Sequence, residues 1–190
     1  MELEVKNLKP KVSLQEFNEF EKESDKPLEY INGYVYAKSF SSMAHNQIVT
    51  KINGEIQRQL RGKPCKVFSE QIEVILGENR VKPDVFIVCK QNDKFERIGQ
   101  SFLTIPTIIF EVVSPSNASL DTVVKMDLYA KFGIREYNLV YQDGVIHKYI
   151  LNEYGNYYFD KDYRKGEKYI SSSMIGLTLD TEFIFEDLEF

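Results

Sequence analysis

The amino-acid sequence reads as an α/β protein. Two short runs, residues 81–89 and 107–114, are apolar on both faces of an extended strand, as expected for strands covered on both sides. Two longer segments, 43–60 and 120–132, repeat apolar residues at helical spacing. Turn pairs such as Asn32-Gly33 and Asp143-Gly144 mark antiparallel hairpins between and after them.

The elements follow in order. Ser13, with Glu16 three residues on, forms a capping box that opens a short amphipathic helix to residue 23. Residues 28–31 and 34–38 pair across Asn32-Gly33. Ile48, Ile52 and Ile56 set the buried stripe of the helix 43–60, which ends near Gly62-Lys63-Pro64. Strands are expected at 65–68 and 71–76, and Gly77-Glu78-Asn79 turns the chain into the strand 81–89. A polar loop covers 90–104, and the strand 107–114 follows. Residues 114–119 are turn chemistry. Ser119 is the expected N-cap and Gly133 the C′ residue of the helix 120–132, with Leu120, Val124, Leu128 and Phe132 as its core stripe. Strands at 136–141, 145–151 and 156–159 are joined by turns at Asp143-Gly144 and Gly155, and the tail beyond residue 168 is acidic and aromatic. Tyr154, Tyr157, Tyr158 and Tyr163 fit a strand face better than a base-stacking platform, which needs interleaved basic residues.

Length and composition bound the function. At 190 residues the chain is expected to hold an N-terminal extension, 1–12, and one domain, 13–190. A net charge of −5 argues against non-specific coating of DNA but not against a local docking patch. Cys65 and Cys89 are too few for a disulfide framework, and Cys89, at the end of a core strand, is expected as a buried thiol. The first ten residues lack a signal-peptide core, and no apolar run reaches membrane-spanning length, so a reducing cytoplasm is the expected location, with no membrane partner. Glycine-rich phosphate loops, a Ser-His-Asp order and a nucleophilic cysteine motif are missing. A two-carboxylate glycosidase fails for want of tryptophan to stack sugars.

The chemistry concentrates in two strands. Asp84 is the one acid of the first apolar run and Glu111 the one acid of the second. Each taken alone can pair with a lysine or cap a loop. If the strands are neighbours, the two carboxylates converge, and such a pair needs positive charge between them. A hard divalent cation with oxygen ligands supplies it. Lys125 falls near the core stripe of the next helix, one turn after Asp121. It either snorkels to solvent or serves the acids.

At this point the chain resembles a known family. Lys82-Pro83-Asp84-Val85, Glu111 followed by Val112-Val113-Ser114-Pro115, and the series Asp121, Lys125, Tyr129, Gly133-Ile134, Glu136-Tyr137 are similar to the Uma2 family of restriction endonucleases, within the PD-(D/E)XK nuclease superfamily. Leu28-Glu29-Tyr30-Ile31-Asn32-Gly33 and Ser42, His45 and Ile48 extend the likeness, so that it runs from about residue 13 to the C-terminus. The resemblance implies a restriction-endonuclease-like fold, a mixed β-sheet flanked by α-helices with extra β-hairpins. It also implies a metal-dependent endonuclease acting on DNA. The standard pattern has its lysine two residues after the acid; Val113 stands there, so the resemblance moves that role to Lys125. Asn138 stands where the family often has tryptophan.

On this reading Asp84, Glu111 and the backbone carbonyl of Val112 hold Mg²⁺ or Mn²⁺, and Lys125 stabilises the transition state. Three residues form an outer set. Glu29 is either an exposed strand residue or a third acid. His45 is either a helix cap or part of the site rim, and Asp121 precedes Lys125 by a turn. Gln71 or Glu73 are further candidates to approach the cleft. Arg58, Arg61, Lys63 and Lys94 are the expected contacts to the nucleic-acid backbone, and His147 is expected to be structural. Tyr157, Phe159, Tyr163, Phe183 and Phe185 exceed the needs of a small core and suggest a homodimer. A catalytically inactive nuclease-fold module for binding or assembly is the alternative function.

Overall fold

The structure, a computed structural model, describes residues 10–38, 41–115 and 118–188. Residues 1–9 of the expected extension, Ser116 and Asn117 of the expected turn, and Phe190 lie outside the described residues.

The chain begins with helix α1 (Leu14–Glu23), closed at its start by the Ser13/Glu16 capping box. Strands β1 (Leu28–Ile31) and β2 (Tyr34–Ala37) follow as a hairpin, with Asn32 and Gly33 both at positive φ as a tight turn demands. Helix α2 (Met43–Gln59) starts on the Ser42 side chain, which accepts the His45 N–H, and buries Ile48, Val49, Ile52 and Ile56. Then come β3 (Cys65–Ser69), β4 (Val74–Leu76), β5 (Asn79–Val81) and β6 (Val85–Cys89).

The expected single strand 81–89 is two strands in two sheets. Pro83 has no N–H to give a ladder. At Lys82-Pro83-Asp84 the chain leaves β5 and re-enters as β6 in another sheet. Asp84 therefore stands at the mouth of β6 rather than inside a strand. The expected loop 90–104 contains a small hairpin, β7 (Arg97–Ile98) and β8 (Ser101–Phe102), turned at Gly99.

Strand β9 (Ile108–Val113) is buried along its whole length. The next segment is a π-helical turn, Leu120–Lys125, running into α3 (Met126–Lys131). Helical geometry already holds at residues 118 and 119, so Ser119 makes no cap. The wider turn rotates the stripe: Leu120, Asp121, Lys125, Leu128 and Tyr129 are buried, while Val124 and Phe132 are only partly so. Gly133 ends the helix at φ +77.

Strands β10 (Glu136–Tyr141), β11 (Val145–Leu151) and β12 (Tyr157–Arg164) complete a six-stranded mixed sheet in the order β12-β11-β10-β9-β6-β3, with β9 and β10 parallel. A second six-stranded sheet runs β2-β1-β5-β4-β8-β7. The acidic tail folds as a hairpin, β13 (Lys168–Ile170) with β14 (Thr178–Asp180), and a short helix α4 (Thr181–Phe185). One face of the main sheet packs on α2 and the tail, through Val85, Ile87, Phe110, Val112, Ile52, Leu179 and Ile184. The other packs on the second sheet and α3, through Phe86, Val88, Ile109, Val74, Phe102 and Tyr129.

A further buried acid belongs to the first of these faces. Glu136 is fully buried and accepts from the Tyr169 hydroxyl, from Ser171 Oγ at 3.0 Å and from the Ser172 and Ser173 amides at 2.8 Å each. Asn138 is buried beside it and joins Tyr169 to the Ile109 carbonyl. Of the five aromatics that suggested a dimer, Tyr163 and Phe185 are core residues and Tyr157 is half-buried; Phe159 and Phe183 are exposed. His147 packs between Tyr141 and Phe159.

The cysteines depart from expectation. Cys65 and Cys89 stand directly opposite in the β3–β6 register and form a disulfide, so Cys89 is not a free thiol. Disulfides persist in oxidising compartments, and the cysteines thus give no support to a reducing one. No helix of the described residues is long and apolar enough to cross a membrane. The bridge closes a separation of 24 residues. A loop of that order restrains the unfolded chain by about 3 kcal/mol. Cys65→Ser with Cys89→Ser should therefore lose about that much unfolding free energy in a denaturant titration, and reduction of the wild type should reproduce the loss.

Candidate active site

The switch between sheets builds a cleft. Extending the β6–β9 register past Val85↔Phe110 sets Asp84 opposite Glu111. The Asp84 amide donates to Glu111 Oε2 at 3.1 Å, and the Val112 amide donates to Asp84 Oδ2 at 2.8 Å. Each carboxylate is thus held by the backbone beside the other. Glu29 comes from β1, whose Oε1 accepts the Lys82 amide at 2.7 Å. Asp121 and Lys125 come from the π-helical turn, which Tyr137 ties to β10 by donating to the Asp121 carbonyl at 2.9 Å.

Lys125 is the hub. Its ammonium lies 3.0 Å from Glu111 Oε1, 3.1 Å from Glu29 Oε2 and 3.5 Å from Asp121 Oδ1, and its side chain is only 2% exposed. Tyr129 donates to the same Glu111 oxygen at 2.8 Å. On the other side, Lys38 Nζ reaches Asp84 Oδ1 at 2.8 Å and His45 Nε2 lies 3.1 Å from Asp84 Oδ2. The four carboxylates, the two lysines and His45 line a cavity of about 230 Å³, whose walls also include Ser42, Val112, Ser114, Leu120 and Gln142.

Three comparisons bear on this geometry. The Uma2 family, described as "Putative restriction endonuclease", matches residues 14–182. The chain belongs to the Uma2 family. The uncharacterized protein slr1290 of Synechocystis sp. is 28% identical over 185 residues, 95% of each chain. A second uncharacterized Synechocystis protein, sll1609, is 24% identical over 130 residues, 67% of this chain and 73% of that one. Among solved structures, one from Anabaena variabilis described as "a putative nuclease belonging to DUF820" superposes with a TM-score of 0.74 at 18% identity, covering 94% of this chain and 99% of that one. Its fold is the fold of this Uma2 chain, a mixed α/β architecture of the restriction-endonuclease-like kind.

The electrostatics of the cleft are lopsided. Four carboxylates face two lysines. Burial drives the Glu111 carboxyl up to about 8; Lys125 opposes this, and the Asp84 and Asp121 charges add to it. Burial likewise raises Asp121 to about 6 against the pull of Lys125. Asp84 goes the other way. Burial would raise it, but the Lys38 ammonium, the His45 hydrogen bond and Lys125 outweigh burial and hold it well below the usual carboxylate range. Burial disfavours the charged form of Lys125, yet Glu111, Glu29 and Asp121 raise its pKa well above the ordinary lysine value, so it stays an ammonium.

This donor set suits a hard cation of the magnesium type, which takes one or two carboxylates and keeps several waters. It does not suit a closed cage: among the described residues no group of three or more His, Cys, Asp or Glu side chains could hold a metal ion. The excess negative charge and the raised Glu111 carboxyl are the local reasons that additional positive charge would be stabilised here.

The structure brings together Asp84, Glu111, Val112, Lys125, Glu29, His45 and Asp121. Glu29 is not an exposed strand residue; it is 1% exposed. Lys125 does not snorkel from a stripe margin but sits at the centre of the buried face. Glu73 turns away to Ser101 and Arg80, Gln71 is exposed, and neither lines the cleft. Arg58, Arg61, Lys63 and Lys94 are also absent from its walls; the first two lie at the far end of α2 beside another hollow. Lys38 and Tyr129 were not among the expected site residues. Tyr129 stands one helical step after Lys125 in the family pattern, a usable signal. Lys38 ends a hairpin five residues after Gly33 and has no local mark.

Two expectations follow. Replacing Lys125 by Met leaves buried carboxylates without their counter-charge, which typically costs about 3–5 kcal/mol; chemical denaturation of Lys125→Met should show a loss of that size. The second concerns pH. Folded Glu111 and Asp121 hold protons that the unfolded chain has lost above about pH 4. Their stabilising contribution is complete below that value and disappears as pH rises through about 6 for Asp121 and about 8 for Glu111. Asp84 is ionised in both states above pH 5 and adds only a constant. Metal-free protein should therefore lose stability between pH 5 and 8, by at most about 1.4 kcal/mol per pH unit per group. Melting curves of Glu111→Gln should lack most of the slope between pH 6 and 8; curves parallel to wild type would contradict this account.

Proposed function

We propose that this chain is a divalent-metal-dependent nuclease that hydrolyses DNA phosphodiester bonds at the Asp84–Glu111 cleft. The observation that carries the reading is the facing pair Asp84 and Glu111, with the Lys125 ammonium 3.0 Å from Glu111, on the wall of an accessible cavity. The family description and the nuclease description of the Anabaena structure support it.

Mg²⁺ or Mn²⁺ held by Asp84, Glu111 and the Val112 carbonyl would polarise the scissile phosphate and lower the pKa of a water. The chain's own residues do the rest. Val112 N–H and His45 fix Asp84, and Tyr129, Lys125 and the Asp84 N–H fix Glu111, so neither carboxylate has to reorganise during the reaction. Lys125, permanently cationic, is a donor and a source of positive potential rather than a base. Glu29 and Asp121 help keep that ammonium in place.

A second reading is a non-catalytic nuclease-fold module. One observation favours it: the oxygens of Asp84 and Glu111 are all engaged by donors of the chain itself.

The deciding experiment offers plasmid, linear, single-stranded and branched DNA with Mg²⁺ and with Mn²⁺. Wild type should cleave at least one form; Asp84→Ala and Glu111→Ala should not. Lys125→Met, assayed where it is still folded, should lose about 10²–10³ in rate, as expected for one oriented electrostatic group. Cleavage unchanged in Asp84→Ala would remove the site, and a metal-bound wild type inert on every substrate would favour the module.

A further inference from the structure

The two lysines of the cleft are not equivalent. Lys125 is locked among three carboxylates and sealed from solvent. Lys38 holds one carboxylate oxygen, Asp84 Oδ1, together with the Lys82 carbonyl at 2.7 Å, and its side chain is 23% exposed. Its backbone is anchored, since the Lys38 amide donates to the Pro27 carbonyl at 2.9 Å. A fixed base with a partly exposed, four-carbon stem is a tether for a mobile charge.

Asp84 uses its two oxygens differently. Oδ2 is committed to the Val112 amide and to His45, partners set by β9 and by the first turn of α2. Oδ1 has the Lys38 ammonium as its hydrogen-bond partner. Glu111 is more tightly engaged, through buried Lys125 and Tyr129 on Oε1 and the Asp84 amide on Oε2. Among the described residues Asp84 Oδ1 and Glu111 Oε2 each have one hydrogen-bond partner, but that of Oε2 is a backbone amide fixed in place, whereas that of Asp84 Oδ1 is the partly exposed ammonium of Lys38, the one partner that can swing away.

We propose that Lys38 is an exchangeable counter-ion: it neutralises Asp84 in the metal-free protein, leaves Asp84 Oδ1 when a divalent cation binds, and then meets the substrate phosphate at the cleft mouth. This inference rests on the proposed metal-dependent function. It has two consequences. Metal must compete with a tethered ammonium, so affinity for the ion alone is weakened. A phosphodiester that accepts the released ammonium restores affinity, so metal and nucleic acid bind with positive coupling, and reciprocity makes the effect equal in both directions.

The test uses the full chain, Mn²⁺ and lysine acetylation by a water-soluble reagent. Mn²⁺ binding is followed by electron paramagnetic resonance, and acetylation at each lysine by mass spectrometry. In the wild type, saturating Mn²⁺ should raise Lys38 labelling severalfold and leave Lys125 unlabelled. Lys38→Met should melt at lower temperature without metal yet bind Mn²⁺ roughly 10- to 100-fold more tightly, the range that one charge-assisted hydrogen bond corresponds to. Lys38→Arg should stay near wild type in both respects. A merely structural lysine would lower the melting temperature without changing its own labelling on Mn²⁺ addition. Bound Mn²⁺ with unchanged Lys38 labelling, or unchanged affinity in Lys38→Met, overturns the inference while leaving the metal site standing. Absence of Mn²⁺ binding to wild type overturns both.

Discussion

The cleft depends on one buried ammonium. An isolated lysine charge in a protein interior is strongly disfavoured, and so is a cluster of unpaired carboxylates. Lys125 and its partners Glu111, Glu29 and Asp121 make each other tolerable. The arrangement draws one residue from β1, one from β9 and two from the π-helical turn, so three separate elements must dock correctly before any of the charges is satisfied. Such a cluster contributes little net stability for all its close contacts, since desolvation of the charges offsets their attraction.

The second constraint is the crossing at Lys82-Pro83-Asp84. A continuous strand would have carried Asp84 into one sheet with its neighbours on both sides. The proline ends the β5 ladder and lets β6 start afresh against β9. The acid is left at a strand mouth, where its backbone N–H is free to grip Glu111 and its side chain can reach the Val112 amide. The second sheet then closes over the same place, bringing Glu29 through the Lys82 amide. The cleft is thus a seam between two sheets.

Much of this was legible in the sequence. Capping residues, Asn32-Gly33 and the doubly apolar run of β9 gave local signals that tertiary structure had no reason to override. Asp84 and Glu111 stood out because a lone acid in an apolar strand conflicts with its surroundings. What escaped had two causes. A regular 3.6-residue period over 120–132 places Val124 on the inner face, whereas the π turn shifts the phase and puts Lys125 there. Lys38 and the Cys65–Cys89 bridge are long-range juxtapositions, set by which strands become neighbours, and neither periodicity nor spacing contains that information.

Glu136 bears on how the chain is made. Its partners, Tyr169, Ser171 and the Ser172 and Ser173 amides, are translated more than thirty residues later. Until those residues leave the ribosome, β10 carries a naked carboxylate on the face that must become dry. A chain that ends before residue 169 lacks every one of those partners, so the last hairpin is what lets this face of the sheet close over Glu136.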